Sequence, residues 1–195
     1  MAIARVAGPL LRAIAASQAW LTELQVPVAV IGGVAASLLG RPRVTKDVDL
    51  VVLADEDAWR SLLEAGLRHG VEARIPDALE FARTSRVLLL RHQPTGIEVD
   101  LSFAALPFEL ELIERASVRV VRGVSFRVAT PEDIVIMKSL ALRPRDIADI
   151  EAILEAAPEL DLERVRSTLR AFTEALETDD FAGEFERILK RTRRA

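Results

Sequence analysis

The segment RPRVTKDVDLVV, residues 41–52, restricts the possible folds more than any other part of the chain. Asp47 and Asp49 lead directly into the apolar run Leu50–Leu53, although aspartate is depleted in β-strands because its short polar side chain favours turns. In a strand, the period of two places both carboxylates on one face and Val48 on the other. Like charges about 7 Å apart on one face repel each other unless a cation lies between them. The pattern therefore predicts a half-buried strand that presents a pair of aspartates.

A second acidic strand is predicted about fifty residues further on. In the segment IEVDLSF, residues 97–103, apolar and polar side chains alternate strictly, and Glu98 and Asp100 lie on the polar face. If this strand lies beside the first one with its polar face turned the same way, Asp100 converges with Asp47 and Asp49. Three convergent carboxylates are the arrangement that a two-metal phosphoryl- or nucleotidyl-transfer site requires.

Structural interpretations of these acidic residues stay open. In one, Asp47 ends a loop and Asp49 forms a surface ion pair with Arg41 or Arg43. In another, the alternation around Asp100 marks a strand with one solvated face. The two arginines are equally compatible with binding a triphosphate, with binding an acceptor RNA, and with neutralising the two aspartates.

Gly32 and Gly33 lie between a predicted strand, Val26–Ile31, and a predicted helix over residues 34–39. Such a turn lets backbone N–H groups approach phosphate oxygens, with help from the helix N-terminus. Many strand–helix turns contain glycine, so the turn alone is weak evidence for a phosphate site. It gains weight from the two acidic strands that follow it.

Composition narrows the chemistry further. The 195 residues include no cysteine and two histidines, which excludes disulfides, thiolate zinc sites and cysteine nucleophiles and nearly excludes a multi-histidine metal site. Carboxylate oxygens are then the obvious ligands, and they favour hard cations such as Mg²⁺. The net charge of −4 argues against a protein built mainly to coat nucleic acid or anionic lipid. Because no run of about 18 apolar residues occurs, we expect no membrane-spanning helix and a cytoplasmic protein.

The order of predicted elements divides the chain into two parts. Strands and helices alternate up to about residue 129, whereas only helices are predicted after Thr130, which is a good N-cap. We therefore predict an α/β (α+β) fold with a mixed β-sheet flanked by helices and a C-terminal helical part. The predicted domains are an α/β core over residues 1–129 and a helical region over residues 130–195 that packs on it. Residues 71–84 carry no clear signal.

The combination of these motifs resembles the signature of the nucleotidyltransferase superfamily, which includes DNA polymerase β. That signature is a Gly-Gly or Gly-Ser turn, an Asp-x-Asp strand and a later aspartate, matched here by Gly32, Gly33, Asp47, Asp49 and Asp100. The segment RVTKDVD, residues 43–49, looks most like the R-x-T-x-D-x-D motif of small bacterial members related to the AbiEii-type toxins of toxin–antitoxin systems. The resemblance covers about residues 26–155 and implies a nucleotidyltransferase-like fold.

The resemblance also implies roles for individual residues. Asp47, Asp49 and Asp100 would be the catalytic residues and the ligands of Mg²⁺ or Mn²⁺. The implied nucleotide-binding residues are Gly32, Gly33, Arg43, Thr45 and Lys138. Many relatives have serine as the second residue of the turn, whereas Gly33 offers only its backbone donor.

Lys138 is one of only three lysines in the chain and lies on the first predicted C-terminal helix. By resemblance it would contact the triphosphate, to which a compact ammonium is suited; a solvated position at the helix edge is the alternative. Asp146 and Asp149 lie one turn apart near the start of the next helix. They either offset the helix dipole or buttress Lys138 or an arginine.

The resemblance implies attack of an acceptor hydroxyl on the α-phosphate of a nucleoside triphosphate, with loss of pyrophosphate. The favoured acceptor is RNA, such as a tRNA end, and a cognate antitoxin is an implied partner. One alternative is transfer to a small molecule such as an aminoglycoside, which the acidic net charge favours because it would attract a cationic acceptor. Another is a non-catalytic, antitoxin-like binding module, against which the presence of all three carboxylates argues.

Overall fold

The computed structural model describes residues 8–177 and 180–193, and these form nine α-helices and seven β-strands. The helices are α1 (Gly8–Glu23), α2 (Gly32–Leu39), α3 (Trp59–Gly66), α4 (Ala78–Ser85), α5 (Pro107–Arg115), α6 (Pro131–Ala141), α7 (Pro144–Ala156), α8 (Leu162–Leu176) and α9 (Phe181–Thr192). The strands are β1 (Val28–Val30), β2 (Asp47–Val52), β3 (Val71–Ala73), β4 (Val87–His92), β5 (Ile97–Phe103), β6 (Ser117–Val121) and β7 (Val124–Val128). The predicted mixed α/β fold with a C-terminal helical part is confirmed.

The chain divides into two compact units. Unit 1 comprises Met1–Ala35 and Val44–Ala129, and unit 2 comprises Ala36–Arg43 and Thr130–Ala195. Helix α2 crosses this division, because it begins in unit 1 and ends in unit 2. The domain limits given from the sequence stay a prediction. They include positions that lie outside the described residues, namely 1–7, 178, 179, 194 and 195.

Unit 1 is built on a mixed sheet whose strand order, over the described residues, is β3-β4-β5-β2-β1-β7-β6. Strands β2 and β5 are parallel, as are β1 and β7, whereas the other neighbours are antiparallel. Alternate residues of the two central strands are at most 2% exposed, namely Val48, Leu50, Val52, Val99, Leu101 and Phe103. This alternation leaves the opposite face of β2 and β5 for polar side chains.

Helix α1 packs against β2, β5 and β7. Its Trp20 is fully buried, and the indole Nε1–H donates a hydrogen bond to the carbonyl oxygen of Leu62 at 3.0 Å. The ring of Trp59 stacks on that of Phe103 with centroids 3.9 Å apart. These contacts join α1 to α3 and both helices to the apolar side of the sheet, where burial of large aromatic side chains contributes strongly to stability.

Residues 71–84, for which the sequence gives no clear signal, contain β3 and most of α4. Strand β3 is only three residues long and pairs antiparallel with β4. The ladder continues one residue further, because the N–H of Arg74 donates to the carbonyl oxygen of Leu89 at 2.9 Å. A three-residue strand carries too little periodicity to be recognised from sequence alone.

Unit 2 is helical, with α6 packed against α7, α8 and α9. The predicted N-cap is present, since the Thr130 hydroxyl accepts a hydrogen bond from the N–H of Asp133 at 3.3 Å. Leu142 ends α6 with φ of 48°, and Pro144 then opens α7. Among the described residues, no helix has the length and apolar character needed to cross a membrane.

Candidate functional site

Strands β2 and β5 bring the predicted catalytic aspartates onto one face of the unit 1 sheet. In the parallel pairing, Asp49 is the register partner of Asp100 and Asp47 that of Glu98. Adjacent strands are about 4.8 Å apart, and register partners project to the same side of the sheet. The face therefore carries four neighbouring carboxylates. The strand arrangement expected from the sequence is present, whereas the catalytic roles of the three aspartates stay predictions.

The Gly32-Gly33 turn lies directly against Asp49. The N–H of Gly33, in the first turn of α2, donates a hydrogen bond to Asp49 Oδ2 at 3.3 Å. Gly32 has a φ of +61°, and a Cβ added there would lie only 1.9 Å from the same oxygen. One of the backbone donors predicted for phosphate therefore contacts a carboxylate, and the helix N-terminus favours the negative charge of Asp49.

We expect Gly32→Ala to destabilise unit 1 far more than Gly96→Ala. Gly96 has a similar φ of +69°, but an added Cβ there would meet no atom of the described residues within 4 Å. Both substitutions carry the left-handed strain of about 1–2 kcal/mol, and Gly32→Ala additionally displaces Asp49, for a total of about 2–4 kcal/mol. Urea unfolding followed by tryptophan fluorescence measures both.

A double mutant sharpens this prediction. In an Asp49→Ala background the carboxylate is absent, but Cβ of residue 49 remains 2.7 Å from the added methyl group. The cost of Gly32→Ala should therefore fall well below its value in the wild type and stay above that of Gly96→Ala. Equal costs of the two glycine substitutions in the wild-type background would contradict the proposed contact.

Thr45 supports the other aspartate of the strand. Its hydroxyl donates a hydrogen bond to Asp47 Oδ1 at 2.9 Å, and both side chains lie in an exposed part of unit 1. This bond orients one oxygen of Asp47. The nucleotide-binding role of Thr45 stays a prediction.

Two further residues of this face were not assigned a role from the sequence, Arg74 and Glu98. The Arg74 guanidinium pairs through Nη1 with Glu98 Oε2 and through Nη2 with Asp100 Oδ1, the latter at 2.6 Å. Burial raises the pKa of Asp100, Arg74 opposes this shift, and the charges of Asp47 and Glu98 reinforce it. The strict alternation in β5 already placed Glu98 on the polar face, whereas no sequence signal pointed to Arg74.

The donor set of this face suits a hard divalent cation, because carboxylate oxygens are the ligands that Mg²⁺ prefers. Over residues 8–177 and 180–193, however, no three His, Cys, Asp or Glu side chains are arranged to hold a metal ion. Asp100 Oδ1 is engaged by Arg74 instead. The residues fit a cation by chemistry, and a cation that ligated Oδ1 of Asp100 would have to displace Arg74 from this oxygen.

The remaining predicted nucleotide-binding residues, Arg43 and Lys138, belong to unit 2 and meet there at a carboxylate. Asp149 accepts a bidentate pair from Arg43, with Nε–Oδ1 at 2.8 Å and Nη2–Oδ2 at 2.9 Å. Lys138 Nζ lies 2.8 Å from Asp149 Oδ2 and 2.8 Å from Asp146 Oδ1. Burial alone would raise the pKa of Asp149, but the hydrogen bonds from Arg43 and Lys138 outweigh it and hold the pKa below its usual value.

This cluster answers part of the question left open by the sequence. Asp146 and Asp149 do buttress both Lys138 and an arginine, and the Lys138 side chain is only 9% exposed, which contradicts a solvated helix edge. Arg41 is paired with Glu155 at 2.5 Å within the same unit. Nucleotide binding by Arg43 and Lys138 stays a prediction.

The model of one protein family matches residues 15–194, and its description is nucleotidyl transferase AbiEii toxin, type IV TA system. The chain belongs to this family. The match extends well beyond the motifs and takes in the four helices of unit 2. No curated protein is significantly similar to this AbiEii family member in sequence.

Solved structures of low sequence identity share the fold of this AbiEii family member. A solution structure of the antibiotic-resistance factor ANT(2'')-Ia is 21% identical, with a TM-score of 0.57 over 86% of this chain and 94% of that one. A crystal structure of ANT(2'')-Ia with adenylyl-2''-tobramycin is 19% identical, with a TM-score of 0.56 over 86% and 98%. An antigenic nucleotidyltransferase-like protein from Paracoccidioides brasiliensis is 20% identical, with a TM-score of 0.54 over 92% of both chains. The chain thus has a nucleotidyltransferase fold, as the resemblance implied.

Proposed function

We propose that this protein is a divalent-cation-dependent nucleotidyltransferase that moves a nucleoside monophosphate from a nucleoside triphosphate to an acceptor hydroxyl. The observation that carries the proposal is the register of β2 and β5, which sets Asp49 beside Asp100 and Asp47 beside Glu98 next to the Gly32-Gly33 turn. In the reaction, the acceptor hydroxyl gives up its proton to water and its oxygen bonds to the α-phosphorus. The bond from that phosphorus to the oxygen that bridges it to the β-phosphorus breaks, and pyrophosphate leaves.

The chain's own residues would contribute mainly position and charge. Asp47, Asp49 and Asp100 would hold Mg²⁺ or Mn²⁺, and a cation bound there would neutralise the triphosphate and lower the pKa of the attacking hydroxyl. Thr45 fixes the direction of one Asp47 oxygen, and Gly33 does the same for Asp49. Preorganised groups of this kind reduce the barrier because they need not reorient during the reaction.

RNA, such as a tRNA end, is the acceptor that we favour, with a role as the toxin of a toxin–antitoxin pair and a cognate antitoxin as partner. Membership of a family described as the AbiEii toxin of a type IV system supports this assignment. Binding of RNA through phosphate contacts would weaken steeply with rising salt concentration.

A small cationic acceptor is the second candidate. The net charge is −4 and four carboxylates line one face of the unit 1 sheet, which would attract a polyamine-like substrate. The ANT(2'')-Ia complex contains an adenylylated tobramycin on a similar fold. Weak binding of RNA, together with affinity for small acceptors that rises with their number of amino groups, would favour this candidate.

Calorimetric titration with each nucleoside triphosphate, with and without Mg²⁺, tests the proposed site. We expect binding that requires Mg²⁺ in the wild type and in the control Asp57→Ala, whose carboxylate is exposed elsewhere on unit 1. The variant Asp47→Ala/Asp49→Ala should bind at least about tenfold more weakly, because two cation ligands are lost. Equal binding by the double variant and the control would contradict the proposed site, and no binding by any form would favour a non-catalytic module.

A further inference from the structure

Arg74, which directly follows β3, reaches across β4 to the carboxylates of β5. Glu72 is the register partner of Arg91, Arg91 of Glu98 and Glu98 of Asp47. One row further along, Arg74 bonds to the backbone of Leu89, which is the partner of Asp100. The Arg74 side chain therefore lies on the same face as Asp100 and passes over the position of Leu89 to reach it. Its side chain is only 16% exposed, which holds the guanidinium close to the sheet.

The guanidinium bridges two carboxylates with separate nitrogens. Nη1 donates to Glu98 and Nη2 donates to Asp100, so neither carboxylate forms a bidentate pair with the guanidinium. Glu98 is held a second time by Arg91, whose Nη2 lies 3.3 Å from Oε1. Among the described residues, Asp100 pairs with Arg74 and with no second arginine, and Asp49 is its neighbour on the other side. The Glu98 end of the bridge is thus the more firmly held.

The positive charge of Arg74 lies between two carboxylates and stabilises them in the way that a bound cation would. It offsets the repulsion among Asp47, Asp49, Glu98 and Asp100, which would otherwise be severe for like charges on adjacent strands. The same oxygen of Asp100 cannot accept from Arg74 and ligate a divalent cation at full strength. Arg74 and the cation therefore compete for Asp100.

We propose that Arg74 is a positioning residue that holds Asp100 in an ion pair before a divalent cation binds and yields Asp100 to the cation, while Glu98 keeps the guanidinium beside the site. This inference rests on the proposed function, because it takes Asp100 as a cation ligand. It assigns to Arg74 a direct effect on cation affinity, and to Glu98 the role of retaining Arg74.

The test measures binding of Mn²⁺ alone, without nucleotide, so that contacts of Arg74 with phosphate cannot contribute. Wild type, Arg74→Gln, Arg74→Lys and Arg91→Gln are compared by titration calorimetry or by the electron paramagnetic resonance signal of free Mn²⁺. We expect Arg74→Gln to bind Mn²⁺ at least about tenfold more tightly, since a competing charge a few ångströms away is removed. The Mn²⁺ affinity of Arg74→Lys should lie between those of the wild type and Arg74→Gln, because lysine keeps the positive charge but cannot bond to both carboxylates through separate guanidinium nitrogens.

Arg91→Gln is the matched control. Arg91 lies on the same face and pairs with Glu98, and among the described residues no ion pair joins it to Asp100. The Mn²⁺ affinity of Arg91→Gln should therefore stay within about twofold of that of the wild type. Thermal unfolding gives a second readout. Without Mn²⁺, Arg74→Gln should have a lower melting temperature than the wild type. Saturating Mn²⁺ should raise the melting temperature of Arg74→Gln by more than it raises that of the wild type.

The outcomes separate the inference from the function on which it rests. Wild-type Mn²⁺ binding that is lost in Asp49→Asn but unchanged or weakened in Arg74→Gln would overturn the role of Arg74 alone. Absence of Mn²⁺ binding in the wild type, in Arg74→Gln and in Arg91→Gln would overturn the proposed metal site itself.

Discussion

We expect replacement of Asp49 with asparagine to lower nucleotidyl transfer by at least about 10²–10³-fold, the effect typical of removing one preorganised charged group from a transition state. Asp49 is held on two sides, because it accepts a hydrogen bond from the N–H of Gly33 and lies against Gly32, and it is the register partner of Asp100. Asparagine keeps the shape and one oxygen acceptor but loses the charge needed for a hard cation. The measurement is transfer of label from an α-labelled nucleoside triphosphate to the acceptor.

The control for this variant is Asp57→Asn, which removes an exposed carboxylate of unit 1 away from the β2–β5 face. It should keep wild-type transfer. A melting temperature of Asp49→Asn close to that of the wild type would show that the loss is one of chemistry. Retention of more than about a tenth of wild-type transfer by a folded Asp49→Asn would contradict the proposed role of Asp49.

We expect replacement of Asp149 with asparagine to destabilise unit 2 by about 3–5 kcal/mol, the cost typical of removing one partner from a buried ion pair. The Asp149 side chain is 7% exposed and pairs with both Arg43 and Lys138, so its loss removes the bidentate partner of Arg43 and one of the two carboxylates that hold Lys138. Glu155→Gln is the matched control, because Glu155 is also on α7 and pairs with an arginine, but the pair is 42% and 74% exposed. An exposed pair contributes at most about 1 kcal/mol.

The stability difference also depends on pH in a defined direction. The pKa of Asp149 is lowered in the folded chain, so its stabilising contribution is complete above the ordinary aspartate pKa of about 3.9 and is lost as the pH falls through the lower folded value. The gap between wild type and Asp149→Asn should therefore narrow below about pH 4. Both tryptophans lie in unit 1, so hydrogen exchange of the α6 and α7 amides is the appropriate measurement. An equal effect of Glu155→Gln would contradict this account.

Local patterns were enough to predict the acidic strands. Asp47 and Asp49 flank Val48 at the strand period, and Glu98 and Asp100 do the same around Val99, so that each strand has one apolar and one acidic face. Periodicity cannot show that two strands fifty residues apart are parallel neighbours in register. That pairing depends on the order of all seven strands. From the sequence, it could be predicted only through the resemblance to nucleotidyltransferases.

Ion pairs between distant segments lay beyond sequence reasoning. Arg43 and Asp149 are 106 positions apart, and neither local helix pattern indicates the other. Lys138 was predicted to contact phosphate, and in the structure it pairs with Asp146 and Asp149. The helical spacing of these two aspartates allowed this pairing but did not require it. Arg74 was missed because its importance depends on the registers of β3, β4 and β5 together. Charged side chains of this kind reveal their partners only after the backbone topology is known.

The central claim, nucleotidyl transfer, is tested most directly with a nucleoside triphosphate labelled at the α-phosphate in one reaction and at the γ-phosphate in another. The protein is incubated with Mg²⁺ and either total RNA or an aminoglycoside. Our account predicts that the α-label becomes attached to an acceptor while the γ-label appears in pyrophosphate, and that both events are lost in Asp49→Asn. Release of the γ-label as inorganic phosphate without attachment of the α-label, or attachment that persists in Asp49→Asn, would contradict it.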